Sequence, residues 1–268
     1  MTSSTGAPAP FTVRYVGGPT AVLETGGVRL LTDPTFDPPG DYPAPGGGTT
    51  LVKTAGPAVG AAEIGPVDAV LLSHDQHADN LDHAGRAFLD GVPLTLSTES
   101  ARRRLGGTVR ALADGESVEL PRPDGGSLRI TGVPAQHGPD GTEHLVGEVT
   151  GFVLSGDGLP TVYVSGDNAS LDVVRGIAER FGPFDVAVLF AGGVLTPLLP
   201  GAFLTLSSAW AAQAAEILGA RQVVPLHFEH WQHFSEGGDS LTEAFAAAGL
   251  SDRLRLPTPG GSVEVAGG

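Results

Sequence analysis

Four apolar runs in this chain each end on a residue that can bind a metal: "VDAVLLS" leads into His74, "ITGVPAQ" into His137, "TVYVSG" into Asp167 and "QVVPL" into His227. Short apolar runs rich in β-branched side chains read as strands buried on both faces. In α/β sheets the C-terminal ends of such strands open onto one crevice, where ligands bind. The four polar residues are therefore predicted to meet. Each has an ordinary reading on its own. A lone histidine after a strand is more often a satisfied polar residue, and Asp167 in "SGDN" could cap the helix that begins near Ala169. Their joint occurrence is what points to a site.

The stretch "LLSHDQHADNLDH", residues 71–83, holds three of the eight histidines. His74 and His77 are three apart and Asp79 follows two later, a spacing at which one turn can aim all three at one ion. A second group, "PLHFEHWQHF", carries His227, His230 and His233. His227 directly follows the strand and is the expected ligand. His230 and His233 are expected as pocket wall, substrate contacts or surface, and Trp231 and Phe234 as wall or core. The chain has no cysteine, so any metal sits on imidazole and carboxylate, a donor set that suits zinc, manganese or iron.

Glycine turns separate three short strands at the start, "FTVRYV", "TAVLE" and "VRLLTDP". A Pro/Gly-rich loop is expected from Asp37 to about Gly65, long enough to be functional. Strands then alternate with helical patterns in "ESARRRLG", "ASLDVVRGIAERFG", "LSSAWAAQAAEILGA" and "SLTEAFAAAGL". The order reads β-rich, α/β, β-rich, α/β. This predicts a loose tail over residues 1–10 and a single domain over 11–268, with sheets inside and helices outside.

The formal net charge is −15, with Lys53 the only lysine. Such a surface repels phosphate backbones and anionic lipid, so neither nucleic acid nor membrane is an expected partner. A small-molecule substrate is expected, and the charge leaves the oligomeric state open. The N-terminus lacks the basic and apolar regions of a signal peptide, and no run approaches the length of a membrane span. A cytoplasmic location is expected.

Over nearly its whole length, from "YVGGPTAVLETGGVRLLTDPTF" through "VDAVLLSHDQHADNLD", "VPAQHGP" and "YVSGDN" to "VVPLHFEHW", the chain resembles the metallo-β-lactamase superfamily. Within it the similarity is to lactonase-like and phosphodiesterase-like hydrolases of the ascorbate-6-phosphate lactonase type. The resemblance implies an α/β fold, an αββα four-layer sandwich of two similar halves, and one or two divalent metal ions, zinc first with manganese or iron as alternatives. By position, His137 matches the family's later histidine, Asp167 its metal-bridging aspartate and His227 its final histidine. Asp33 matches an acidic residue that orients a ligand from behind.

The first motif departs from the family's His-x-His-x-Asp-His. A one-residue insertion makes His74, His77 and Asp79 the ligands and puts Asn80 where the last histidine belongs. An ungapped reading instead assigns Gln76, Ala78 and Asp79. The insertion is preferred because it keeps three ligating side chains, and the other register stays open. With Asn80 in place, the second metal position retains Asp79, Asp167 and His227, an oxygen-rich set that makes manganese, iron or a single ion more plausible.

The activity implied is that of a metal-dependent hydrolase. A metal-bound hydroxide, formed by lowering the pKa of water from 15.7 to roughly 7, attacks a small-molecule ester, lactone or phosphodiester, with Asp79 orienting it or taking its proton. The alternative is a metal-poor, inactive member that binds a small molecule.

Overall fold

The computed structural model describes residues 9–43 and 49–265. Of the tail expected over residues 1–10, the first eight lie outside the described residues. Ala9 donates its backbone N–H to the Gly158 carbonyl at 2.8 Å.

The chain opens with the antiparallel strands β1 (Phe11–Gly17), β2 (Thr20–Thr25) and β3 (Val28–Thr32). The stretch expected as a structureless loop is more ordered than its composition suggests. It contains an antiparallel pair, β4 (Gly40–Tyr42) and β5 (Leu51–Lys53), and a short helix α1 (Ala61–Ile64). Then follow β6 (Ala69–Leu71), α2 (His83–Leu89), β7 (Thr95–Ser97), α3 (Glu99–Leu105) and β8 (Val109–Ala111).

The second half begins with β9 (Ser117–Pro121), β10 (Ser127–Pro134), α4 (Glu143–Val146), β11 (Thr150–Ser155) and β12 (Val162–Val164). It ends with α5 (Leu171–Phe181), β13 (Val186–Phe190), α6 (Ser208–Ile217), β14 (Gln222–Leu226), α7 (Gly238–Ala247) and β15 (Ser262–Val265).

Two large sheets result, one ordered β15-β1-β2-β3-β6-β7-β8 and the other β14-β13-β12-β11-β10-β9. Their continuous apolar strands are buried on both faces. Leu30, Ala69 and Leu71 join the large core that also holds Leu128, Ile130, Phe152 and Leu154 of the other sheet. Their neighbours Leu31 and Val70 face a second core, with Ile64 and Leu89 of the outer helices. On the far side, Val174 and Ile177 of α5 and Ala211 and Ala215 of α6 cover the second sheet. The layers are thus helix, sheet, sheet, helix.

Helix starts follow sidechain caps that the sequence advertises. Ser170 accepts from Val173 N ahead of α5, and Ser207 from Trp210 N ahead of α6. β6 runs parallel to β3, and β12, β13 and β14 run parallel to one another. Their C-terminal ends, followed by His74, Asp167 and His227, therefore open toward one edge of the sandwich.

Candidate metal centre

Just past β6, the buried Ser73 is clamped by Asp33, which follows the neighbouring strand β3. Asp33 accepts from both Ser73 N and Ser73 Oγ, each at 2.6 Å. Having donated its proton, Ser73 Oγ accepts from His74 Nδ1 at 3.0 Å. The hydrogen on Nδ1 leaves His74 Nε2 with a lone pair, and this atom lies 2.9 Å from His77 Nδ1. On the loop after β10, His137 Nδ1 donates to the Leu204 carbonyl at 2.7 Å, which frees its Nε2 as an acceptor 3.3 Å from the same His77 nitrogen.

Ligand atoms of His74, His77 and His137 all lie within 4.8 Å of one another. At most one shared proton, on His77, can join three ring nitrogens of which two are fixed as acceptors. Tetrahedral zinc–imidazole bonds of about 2.05 Å imply nitrogen–nitrogen edges of roughly 3.3 Å, close to the 2.9 and 3.3 Å that separate His77 from His74 and from His137. Burial, then the neighbouring imidazoles, push His74 well below its ordinary pKa and His77 down to about 4. Neutral imidazole is the form that ligates metal. The residues fit a divalent ion.

An acidic group adjoins this trio. A helical turn, with Asn80 N and Leu81 N both bonded to the His77 carbonyl, brings Asp79 round to face His227 and His233. Asp79 Oδ2 lies 3.3 Å from His227 Nε2 and 2.9 Å from His233 Nε2. Asp167 Oδ1 lies 3.4 Å from His227 Nδ1, and Asp167 Oδ2 is 3.8 Å from His137 Nε2. Burial opposes the charge of both Asp79 and His227, but the oppositely charged groups around each outweigh it. Asp79 is held well below the usual carboxylate range, with His233 contributing most, and His227 is raised, chiefly by Asp167.

Asp79 Oδ1, Asn80 Oδ1 and both ring nitrogens of His227 are buried with no hydrogen-bond partner in the protein. Uncompensated polar atoms are costly in an apolar interior, and four in one place mark a pocket built for a ligand.

Behind them, Asn80 Nδ2 donates to Asp167 Oδ1 and to Asp33 Oδ2, each at 3.1 Å. Burial leads the causes that push Asp33 up to about 7. Backbone strain accumulates here too: Asp33 has φ 24° and His227 φ 58°, conformations uncommon outside glycine. Ahead of Asp167, Gly166 meets a different constraint. A Cβ there would come within 2.6 Å of the Thr150 carbonyl and 2.9 Å of Ser73 Cβ.

The structure thus gathers His74, His77, His137, Asp79, Asp167 and His227, with Asp33 and Asn80 behind them. His77 faces the trio, whereas the Gln76 side chain packs beside Gly147. His230, expected as a substrate or supporting residue, points elsewhere. Its φ of 75° turns the ring against Gly17, where an added Cβ would lie 2.3 Å from it. His233 takes a place the sequence left undecided. The turn at His230 and the bridge between Lys53 and Trp231 return the chain to Asp79, and no local spacing signals that return.

The centre floors a cavity of about 630 Å³, bounded by the β4–β5 pair on one side and by α4 and residues 194–204 on the other. Ser73→Ala should leave the His74 Nδ1 hydrogen without its acceptor and the ring free to turn. Metal affinity is expected to fall about 10- to 100-fold, measured by competition with a chromophoric chelator. An unchanged affinity would remove Ser73 from any orienting role.

Comparison with known proteins agrees with the architecture. The family described as "Beta-lactamase superfamily domain" matches residues 28–228. A UPF0173 metal-dependent hydrolase of Methanosphaerula palustris is 32% identical over 205 residues, covering 74% of this chain and 84% of the relative. Among solved structures, an isothiocyanate hydrolase from Delia radicum gut bacteria superposes with a TM-score of 0.78 at 23% identity, covering 95% of this chain and 99% of that one. Igni18, a metallo hydrolase of Ignicoccus hospitalis, gives a TM-score of 0.71 at 22% identity, with coverages of 95% and 98%.

Proposed function

Because the chain belongs to the metallo-β-lactamase superfamily and, within it, to the UPF0173 metal-dependent hydrolase family, we propose that it hydrolyses a small-molecule ester or lactone at the centre described above. The observation that carries this reading is the trio of converging imidazoles, two of them oriented from behind by Ser73 Oγ and the Leu204 carbonyl. His74, His77 and His137 hold the first ion, with Asp167 beside them. Asp79, Asp167 and His227 offer the second position, joined by His233. The three-nitrogen set suits zinc, and the carboxylate-rich set suits manganese or iron. When bound, the ion supplies a Lewis acid that acidifies water and polarises a carbonyl.

The chain's own groups move the protons. Asp79 lines the cavity and is held ionised by His227 and His233, so its carboxylate accepts a proton from the attacking water. His233, bonded to Asp79, returns one to the leaving oxygen. The balance is that of simple hydrolysis. Water oxygen bonds to the acyl carbon, the acyl C–O bond breaks, and the alcohol leaves with one proton. Asn80 stands where the family motif has its last histidine, and its Nδ2 carries hydrogens toward two carboxylates rather than a lone pair toward a metal. That difference favours filling the trio first. The finer resemblance to ascorbate-6-phosphate lactonase-like enzymes concerns these motifs, and it puts lactones, esters and phosphodiesters among the bonds to be tried.

Elemental analysis of the purified protein tests the reading. At least one equivalent of zinc, manganese or iron per chain is expected, together with a higher melting temperature than the chelated protein has, because a ligand that binds only the folded state stabilises it. No metal after incubation with each ion, and no thermal shift, would instead favour a fold that binds a small molecule without turnover.

A further inference from the structure

The apolar rim of the cavity bears on what kind of substrate enters. Among the described residues the exposed large hydrophobic side chains are Leu145, Leu195, Leu198 and Leu256, and the first three line this cavity. Leu198 is 56% exposed. Beneath the rim, Val146, Val194 and Leu204 form a small buried apolar cluster of their own, and all three also face the cavity. One wall is therefore apolar from mouth to floor, on a molecule whose surface is otherwise strongly acidic.

Charge around the cavity points the same way. Asp75, Asp79 and Asp82 line it, and among the described residues Arg86 is the only arginine or lysine that does. The Arg86 guanidinium lies 3.9 Å from Asp75, which also accepts from Arg104 Nε at 2.9 Å. Lys53, close by in β5, is buried against Asp82 at 2.8 Å. Residues 44–48 are Ala-Pro-Gly-Gly-Gly and bring no cation. Each of these cations already faces an aspartate, so a phosphate or carboxylate on the substrate's tail would find no arginine or lysine free for it among the described residues.

Resting on the hydrolase reading, we propose that the substrate is an uncharged carboxylic ester or lactone carrying an apolar tail, which lies along Leu145, Leu195 and Leu198 while its acyl carbon sits at the histidine trio. The acyl C–O bond is cleaved by water as written above, and the product that keeps the tail leaves through the leucine rim. Desolvating an apolar tail against this wall is favourable in proportion to the area buried, whereas a polar tail gains nothing there.

Two series on the metal-loaded protein test this. In the first, kcat/KM is measured for 4-nitrophenyl esters from acetyl to decanoyl, and for a ring-matched pair of lactones with and without a phosphate on the tail. We expect kcat/KM to rise about fourfold per methylene over the first several carbons, which corresponds to about 0.8 kcal/mol per buried CH₂. The neutral lactone should exceed its phosphorylated partner by at least tenfold, and Leu198→Asp should flatten the chain-length series.

In the second series, N-alkyl acetamides with tails from ethyl to octyl are bound without turnover and followed by calorimetry. Affinity should tighten with tail length. A flat ester series together with preference for the phosphorylated lactone would overturn the proposal while leaving the hydrolase reading intact. Amides that tighten with length on a protein that cleaves no ester would overturn the hydrolase reading and keep only the apolar tail site.

Discussion

His137→Ala is expected to weaken zinc binding about 10²- to 10³-fold. Apparent binding free energies for closed zinc sites run to about 10–16 kcal/mol. Shared among three or four ligands, one imidazole accounts for about 3–4 kcal/mol, and every 1.4 kcal/mol is a factor of ten. His137 is also the trio member drawn from the second sheet, so neither His74 nor His77 has a neighbour on its own loop that can replace it. The check is a competition titration of the purified variant beside His230→Ala, whose ring lies against Gly17 away from the centre. Parent-like affinity in His137→Ala would dissolve the trio as a site. A loss in His230→Ala equal to that in His137→Ala would show that the assay reports general disturbance.

The second large effect concerns the wall opposite the leucines. Asp82 is buried and accepts four hydrogen bonds: from Phe36 N at 3.0 Å, Asp37 N at 2.7 Å, Gly85 N at 2.8 Å and Lys53 Nζ at 2.8 Å. It caps α2 and at the same time fastens the β4–β5 pair. Asp82→Ala strips the partner from a buried ammonium and orphans three backbone donors. A loss of about 3–5 kcal/mol is expected. Lys53→Met should cost less, because the carboxylate keeps its three backbone N–H groups and the methionine fills a space next to the Trp231 ring, over which the Lys53 ammonium now lies at 5.5 Å from the centroid. Urea denaturation of the two variants decides the matter. A Lys53→Met loss as large as that of Asp82→Ala would mean that the ion pair, and not the cap, dominates.

The parts of this molecule that were legible in its sequence are those where one local rule governs. Continuous apolar runs gave the buried strands and helical patterns gave α5 and α6, although the cap of α5 is Ser170 and not the Asp167 that the sequence offered. The strand-end residues His74, His137, Asp167 and His227 could be anticipated as neighbours because a parallel arrangement brings such ends to one edge. What was missed depended on long-range pairing. The strands β4 (GDY), β5 (LVK) and β8 (VRA) are as short as β6 and β12 but lack the continuous apolar run that marked those two. β15 pairs beside β1 at the opposite end of the chain, and nothing in "SVEV" specifies that partner. His233 was indistinguishable from His230 by spacing. Their fates differ because the backbone turns between them, toward Gly17 for one and toward Asp79 for the other. Likewise the departure at Asn80 was visible as a letter, but its double donation to Asp33 and Asp167 was not.

Where the ligands come from along the chain matters for folding as well as for chemistry. His77 and His137 are 60 positions apart, and Asp79 and His233 are 154 apart. His77 extends from the first sheet and His137 from the second, so an ion shared by them is a cross-link between the layers, added to polar contacts such as Asn80 with Asp167 and Thr150 N with the Ser73 carbonyl. Such a staple forms only when the long intervening loops are already closed, so it stabilises the folded chain and leaves the unfolded one unconstrained. No fragment shorter than the span from β6 to β10 can offer the trio. Metal uptake therefore reports that both halves have docked, and a cell that starves this protein of its ion loses a mechanical fastening along with an activity.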